Sequence, residues 1–298
     1  MTIELTRVAH VGLRTQQMER MHTYLTDVLG LWVACSDPDG RVHYARGGRG
    51  AIVELIPADQ PALDHVAFET AAGVATDRIK AELEAAGMTP TDWGPSDPGA
   101  ARSLRIEDPE GNNIQIVLPD ETFERFRDGP GILPTKLSHV ATRVANGRTV
   151  MNFYTGALGF RFSDSLADLF YFLRCNSDHH AVNLLELPPF GQLHHVAFEL
   201  ESADEMRRAN DLLSSHDIPL AWGMGRHGPG HNLFSYHRDP DGRIIELNSG
   251  LDRMSHEGQG YFDPKPWHTH SPQTPRRWDP QNPDDRDRWG PPPPADFM

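Results

Sequence analysis

Four segments of the chain share one opening: AHVGL at residues 9–13, DHVAF at 64–68, SHVAT at 138–142 and HHVAF at 194–198. Each is apolar and partly β-branched, and reads as a short strand. A stretch with helical spacing follows each one. The first, residues 16–29, places Met18, Met21, Leu25, Val28 and Leu29 on one face, with Gly30 as a residue beyond the helix end. The others run near residues 75–86, 148–158 and 203–215. Strand-like runs such as AIVELIP, FYFLRC and NLFSYHRD come next. The unit is therefore β-α-β-β-β, repeated four times, and the fold class is α+β.

The repeat also carries a chemical pattern. His139 opens LSHVATRV, His195 opens LHHVAFEL, and Glu246 lies in RDPDGRIIEL, at intervals of 56 and 51 residues. Two imidazoles and one carboxylate suit one face of an octahedral Fe(II), with the remaining positions open to reactants. The first half repeats the pattern at intervals of 55 and 50 with His10, His65 and Gln115. There an amide stands in the place of the acid, so the expected N-terminal half has no complete metal site. Asp239-Pro-Asp-Gly242 and Asp108-Pro-Glu-Gly111 read as the same tight turn ahead of the last strand in each half. GGRG at 47–50 reads as a hairpin-type turn.

Composition bounds the remaining classes. The chain has 298 residues, enough for two domains with real cores. Its net charge of −14 argues against a basic nucleic-acid footprint. No apolar run approaches a membrane span, and the N-terminus lacks the pattern of a signal peptide, so the expectation is a cytoplasmic protein with no membrane partner. Cys35 and Cys175 have no metal-type spacing and read as reduced, isolated residues. There is no G-x-S-x-G elbow and no glycine-rich phosphate loop. The expected organisation is an N-terminal domain at 1–125, a catalytic domain at 135–250 and a tail at 251–298. The linker ETFERFRDGPGILPTK separates the two domains. Residues 261–298 hold 10 of the 25 prolines together with Trp267, Trp278 and Trp289. A tail with three tryptophans is expected to pack on the folded body.

From about residue 5 to 250 the chain resembles the vicinal oxygen chelate superfamily. Its C-terminal half resembles the type I extradiol ring-cleavage dioxygenases, such as the homoprotocatechuate, 2,3-dihydroxybiphenyl and catechol 2,3-dioxygenases. The most specific segment is GRHGPGHNLFSYHRDPDGRIIEL at 225–247. The resemblance implies paired βαβββ modules forming two domains, each an open mixed-sheet barrel. It implies Fe(II), with Mn(II) as the less common choice, held by His139, His195 and Glu246. It further implies a small catecholic substrate, O2, and a homo-oligomer, often a tetramer.

The same resemblance makes His180, the second histidine of CNSDHHAV, the acid–base residue. A histidine can take and return a proton near neutral pH. His227 and Tyr236 match positions that donate hydrogen bonds to reacting oxygen. His194, one residue before a ligand, is expected on the opposite face of its strand. His231 and His237 carry no assigned role and read as surface residues. Homoprotocatechuate enzymes hold a substrate carboxylate with arginines, and one such position is Trp222 here. That departure points to an aromatic or alkyl substituent, with Arg276, Arg277, Arg286 and Arg288 of the tail as the alternative source of an arginine. The competing functions are a glyoxalase-type isomerase, a thiol transferase and a non-catalytic protein that binds aromatic ligands.

Overall fold

The computed structural model describes residues 3–46, 50–93, 100–119, 130–290, 292–295 and 297. Most of the GGRG turn and residues 121–129 of the linker lie outside the described residues. The first half contains β1 (Leu5–Thr15), α1 (Met18–Thr23), β2 (Trp32–Ser36), β3 (Val42–Ala45) and β4 (Ala51–Pro57), then β5 (Ala62–Thr70), α2 (Thr76–Ala85), β6 (Thr91–Asp92), β7 (Ala100–Glu107) and β8 (Asn113–Pro119). The second half repeats the order: β9 (Lys136–Arg143), α3 (Gly147–Ala157), β10 (Arg161–Leu166), β11 (Phe170–Arg174) and β12 (Val182–Leu185), then β13 (Gln192–Glu199), α4 (Ala203–Ser215), β14 (Leu220–Arg226), β15 (Leu233–Arg238) and β16 (Ile244–Ser249). A last short strand, β17 (Arg276–Trp278), comes from the tail.

The helices begin and end close to the expected positions. The exception is the first: α1 gives way after one and a half turns to a π-helical turn over Tyr24–Val28. Helix α4 shows why such segments become helices. The Ser202 side chain accepts from the backbone N–H of Glu205 at its start. Met206, Ala209 and Leu213 then fall at helical spacing on the buried face.

Two mixed sheets result. Their strand orders are β2-β3-β4-β1-β5-β8-β7-β6 and β14-β15-β16-β13-β9-β12-β11-β10-β17. Within each module the first and last strands pair in parallel, as β13 does with β16. The two modules of a half join through an antiparallel pair, β1 with β5 and β9 with β13. Both sheets are open, in keeping with the expected α+β architecture. The turns before the last strands behave alike. Asp108 Oδ1 accepts from the N–H groups of Glu110 and Asn112, and Asp239 Oδ1 from those of Asp241 and Arg243. No helix among the described residues is long and apolar enough to cross a membrane.

Candidate metal centre and its pocket

A single row across the second sheet organises the site. Trp222 on β14 lies opposite Tyr236 on β15, Tyr236 opposite Glu246 on β16, Glu246 opposite Ala197 on β13, and Ala197 opposite His139 on β9. Residues paired across neighbouring strands share a face, so all five positions look the same way. Ala197 is the small residue in the middle, and it leaves space between Glu246 and His139. His195 sits two residues before Ala197 on the same face. Three ligand-type side chains thus converge although they lie far apart in sequence.

The convergence is tight. His139 Nε2 lies 3.1 Å from His195 Nε2 and 3.1 Å from Glu246 Oε2, and His195 Nε2 is 3.3 Å from the same oxygen. All three residues are buried. An octahedral cation bound at roughly 2.1 Å needs neighbouring donors about 3.0 Å apart, so the residues fit such an ion. The charge states of His195 and Glu246 fit as well. Burial, reinforced by His194 and His139, holds His195 well below its ordinary pKa, hence neutral. Burial pulls the Glu246 carboxyl upward, but His139, His227 and Tyr236 outweigh it and leave the group below its ordinary value, hence ionised. Neutral imidazole and carboxylate are the forms that bind metal. Glu246 Oε1 accepts from Asn232 Nδ2 at 3.0 Å and Oε2 from Tyr236 OH at 2.9 Å. Both fix the carboxylate plane.

A cavity of about 90 Å³ opens beside these donors. His180, His227, Trp222 and Tyr236 all line it. Its remaining wall is largely apolar, with Leu166, Phe170, Phe172, Leu185, Pro293 and Phe297. Trp222 stacks parallel to Tyr236, with ring centroids 5.5 Å apart and planes within 6°.

Two hydrogen-bond chains set the tautomers of the lining histidines. Asp164 Oδ2 accepts from His179 Nε2 at 2.8 Å, and His179 Nδ1 lies 2.9 Å from His180 Nδ1. An ionised carboxylate can only accept, so His179 donates from Nε2. Its Nδ1 then accepts from His180 Nδ1–H. This leaves a lone pair on His180 Nε2. Burial, with His139 and His179 adding to it, holds His180 well below its ordinary pKa, in the form that can accept a proton. On the other side, the Arg286 carbonyl accepts from His227 Nδ1 at 2.8 Å. His227 Nε2 is therefore an acceptor, 2.9 Å from Tyr236 OH. The single hydroxyl proton of Tyr236 serves either His227 or Glu246.

Several residues stand elsewhere than the sequence suggested. The pairing of β13 with β9 is irregular between Leu193 and His195, and His194 consequently does not cross to the far face. Its Nδ1 lies 2.7 Å from His195 Nδ1, and its ring lines the cavity. His231 and His237 are fully buried, not surface residues. His231 Nδ1 donates to Asp252 at 2.7 Å, and His237 Nε2 meets Tyr24 OH at 2.7 Å. Asp164, Asn232 and the Arg286 carbonyl were not singled out from the sequence. Asp164 sits in an ordinary polar strand and Arg286 acts through its backbone, so neither leaves a motif. Of the four tail arginines, Arg286 lines the cavity; Arg276 lies over Trp278 and Arg277 pairs with Asp168.

Residues 136–247, which span β9 to β16, match the Glyoxalase/Bleomycin resistance protein/Dioxygenase superfamily. The relatives extend over most of the chain. It is 26% identical over 266 residues to a metapyrocatechase of Pseudomonas sp. strain CF600, covering 83% of this chain and 86% of that one. It is 25% identical over 281 residues to a manganese-dependent 2,3-dihydroxybiphenyl 1,2-dioxygenase of Geobacillus genomosp. 3, covering 84% and 87%. Among solved structures, the Mn(II)-bound glyoxalase from Novosphingobium aromaticivorans superposes with a TM-score of 0.82 at 28% identity, over 97% of this chain and 91% of that one.

Proposed function

We propose that this protein is a metal-dependent extradiol dioxygenase, which opens a catecholic ring beside its two hydroxyls with O2 and yields a muconic semialdehyde-type product. The observation that carries the reading is the His139–His195–Glu246 cluster at the wall of a cavity that His180, His227 and Tyr236 also line. The metapyrocatechase and dihydroxybiphenyl dioxygenase relatives support it. His139, His195 and Glu246 would hold the metal, for which we propose Fe(II). When bound, the metal supplies a positive centre that brings the diol and dioxygen together and lets electrons pass from the electron-rich ring.

The chain's own residues do the rest. His180 Nε2 accepts the proton of a catechol hydroxyl and returns it later, with His179 and Asp164 holding the ring in place. His227 and Tyr236 share one proton and present it to oxygen that gains negative charge. The aromatic and aliphatic wall excludes water and seats the ring. Trp222 favours a catechol with an aromatic or alkyl substituent. The resemblance to oligomeric dioxygenases supports a homo-oligomer, which light scattering would test.

The deciding experiment loads the protein anaerobically with Fe(II) and follows oxygen uptake and a yellow product over a panel of catechols. Stoichiometric uptake that disappears in Glu246→Gln supports the reading. Tight metal binding with no uptake on any catechol favours a second one, an isomerase on the same scaffold, which the similarity to the Mn(II)-bound glyoxalase brings forward.

A further inference from the structure

The first sheet holds a second convergence of ligand atoms, built from different positions. His10 Nε2 on β1 lies 2.9 Å from His65 Nε2 on β5, and His65 Nε2 lies 3.4 Å from Glu54 Oε2 on β4. The acid is not at position 115. Glu54 is paired with Gly12 on β1, two residues beyond His10, so it enters from the module's own last strand. In the second half the matching position is Asn183, paired with Ala141 two residues beyond His139. The interval of the repeat points for the acid only to Gln115, the counterpart of Glu246, and on that basis this half lacks a complete set.

Three features argue for a cation among these atoms. The separations of 2.9 and 3.4 Å span the roughly 3.3 Å donor spacing of a tetrahedral ion bound at about 2.0–2.1 Å to nitrogen and oxygen. The Asp64 carboxylate accepts from His65 Nδ1 at 2.8 Å. In the neutral ring this turns the Nε2 lone pair toward His10 and Glu54, and a carboxylate behind a ligating histidine is the usual way to orient it. Finally, the backbone makes room for this ring. A Cβ at Gly12 would lie 2.4 Å from the His65 ring, whereas the matching residue beside His195 is Ala141. Arg41 holds Glu54 Oε1 at 3.0 Å and leaves Oε2, the oxygen near His65, to face the cluster. Register places Gln115 beside Ala67, as Glu246 is placed beside Ala197, so the amide stands where the second half has its acid.

We propose that the N-terminal half binds a second divalent cation, Zn(II) by its donor chemistry, through His10, His65 and Glu54. Two imidazoles and one carboxylate suit a borderline ion more than a hard one. The three side chains are only 2%, 0% and 2% exposed. That burial makes the site a structural one, which ties β1, β4 and β5 together and leaves the reaction to the other half.

The test counts metal. Chelator-stripped full-length protein is loaded with Zn(II), dialysed and analysed for zinc per chain. The expected result is two equivalents in the unaltered protein and one in Glu54→Gln, whose Fe(II)-loaded form keeps its oxygen uptake. A His139→Ala/His195→Ala protein should retain one equivalent and show Co(II) d–d absorption when reloaded with cobalt. Adding Glu54→Gln to it should remove both. One equivalent or fewer in the unaltered protein, or a count that Glu54→Gln leaves at two, overturns the proposal. The comparison of unaltered protein with Glu54→Gln holds even if the double histidine variant does not fold. Because it reads zinc and not turnover, it is independent of whether catechols are the substrates.

Discussion

Asp164 has the widest reach of any single side chain in the site. One carboxylate accepts from His179 Nε2, from Trp278 Nε1 at 2.7 Å and from the backbone N–H of Arg276 at 2.7 Å. It thereby joins the orientation of His180 to the docking of the tail. Asp164→Asn presents an N–H or a weaker acceptor to His179 and destabilises the tautomer that leaves a lone pair on His180 Nε2. We expect kcat for ring opening to fall about 100-fold, the lower range for loss of acid–base help, with metal content unchanged. Trp278→Phe removes one donor to Asp164 without touching His179 or His180, and should fall far less. Equal losses in the two variants would show that Asp164 matters only as an anchor. A similar argument applies to Asn232, whose amide holds Glu246 Oε1. Asn232→Ala should weaken metal affinity by about 10- to 100-fold, read by competition with a chromophoric chelator. Trp222→Arg should shift preference from aryl and alkyl catechols toward carboxylated ones, and an unchanged ranking would remove Trp222 from the specificity argument.

The strands explain how much of the site the sequence could disclose. A ligand on the first or last strand of a βαβββ module recurs at a fixed interval, so His139, His195 and Glu246 stand out beside their counterparts. His227 and Tyr236 follow because they lie on the same run as Glu246 with no gap. What the sequence could not disclose is contact made by backbone, or by register. The irregular pairing at Leu193–His195 keeps His194 in the cavity against simple alternation. Glu54 was hidden because it reaches the cluster from β4, a position to which the interval of the repeat does not point. The tail is the least legible element. Strand β17 pairs in parallel with β10, matching Asp164 with Arg276 and Leu166 with Trp278, a pairing with no repeat to announce it. Asp285, Arg286, Pro293 and Phe297 then complete the cavity wall. Truncation after Gln273 should therefore leave metal content intact, since the proposed ligands lie on β9, β13 and β16. It should raise KM and lower kcat together, because His227 loses its carbonyl partner and the cavity loses a wall. Metal loss in the truncated protein would show that the tail supports the centre itself.

At the scale of the whole molecule, the two halves are held by reciprocal use of the same turn. Glu110, in the first half's turn, accepts from the N–H groups of Ala145 and Asn146 at the start of α3. In the second half's turn, the Pro240 carbonyl and Asp241 accept from Gln17 Nε2 at the start of α1. Beside the second contact, Tyr24 of the π-helical turn meets His237 of β15 in the buried interface. Burial alone pushes the His237 pKa down to about 3. Its ordinary value is about 6.5, so the sign is fixed. As pH falls below 6.5 the unfolded chain takes up a proton that the folded protein refuses, and stability falls until pH approaches the folded value. The slope is about 1.4 kcal/mol per pH unit for one such group. His237→Gln keeps a polar partner for Tyr24 but cannot titrate. Its stability relative to the unaltered protein, from urea unfolding of both metal-free proteins, should improve by about 1.4 kcal/mol between pH 7.5 and pH 5.5. Other buried histidines titrate alike in the two proteins and cancel. A difference that stays constant over that interval would mean that His237 takes up its proton without opening the interface, and that acid leaves the join between the halves intact.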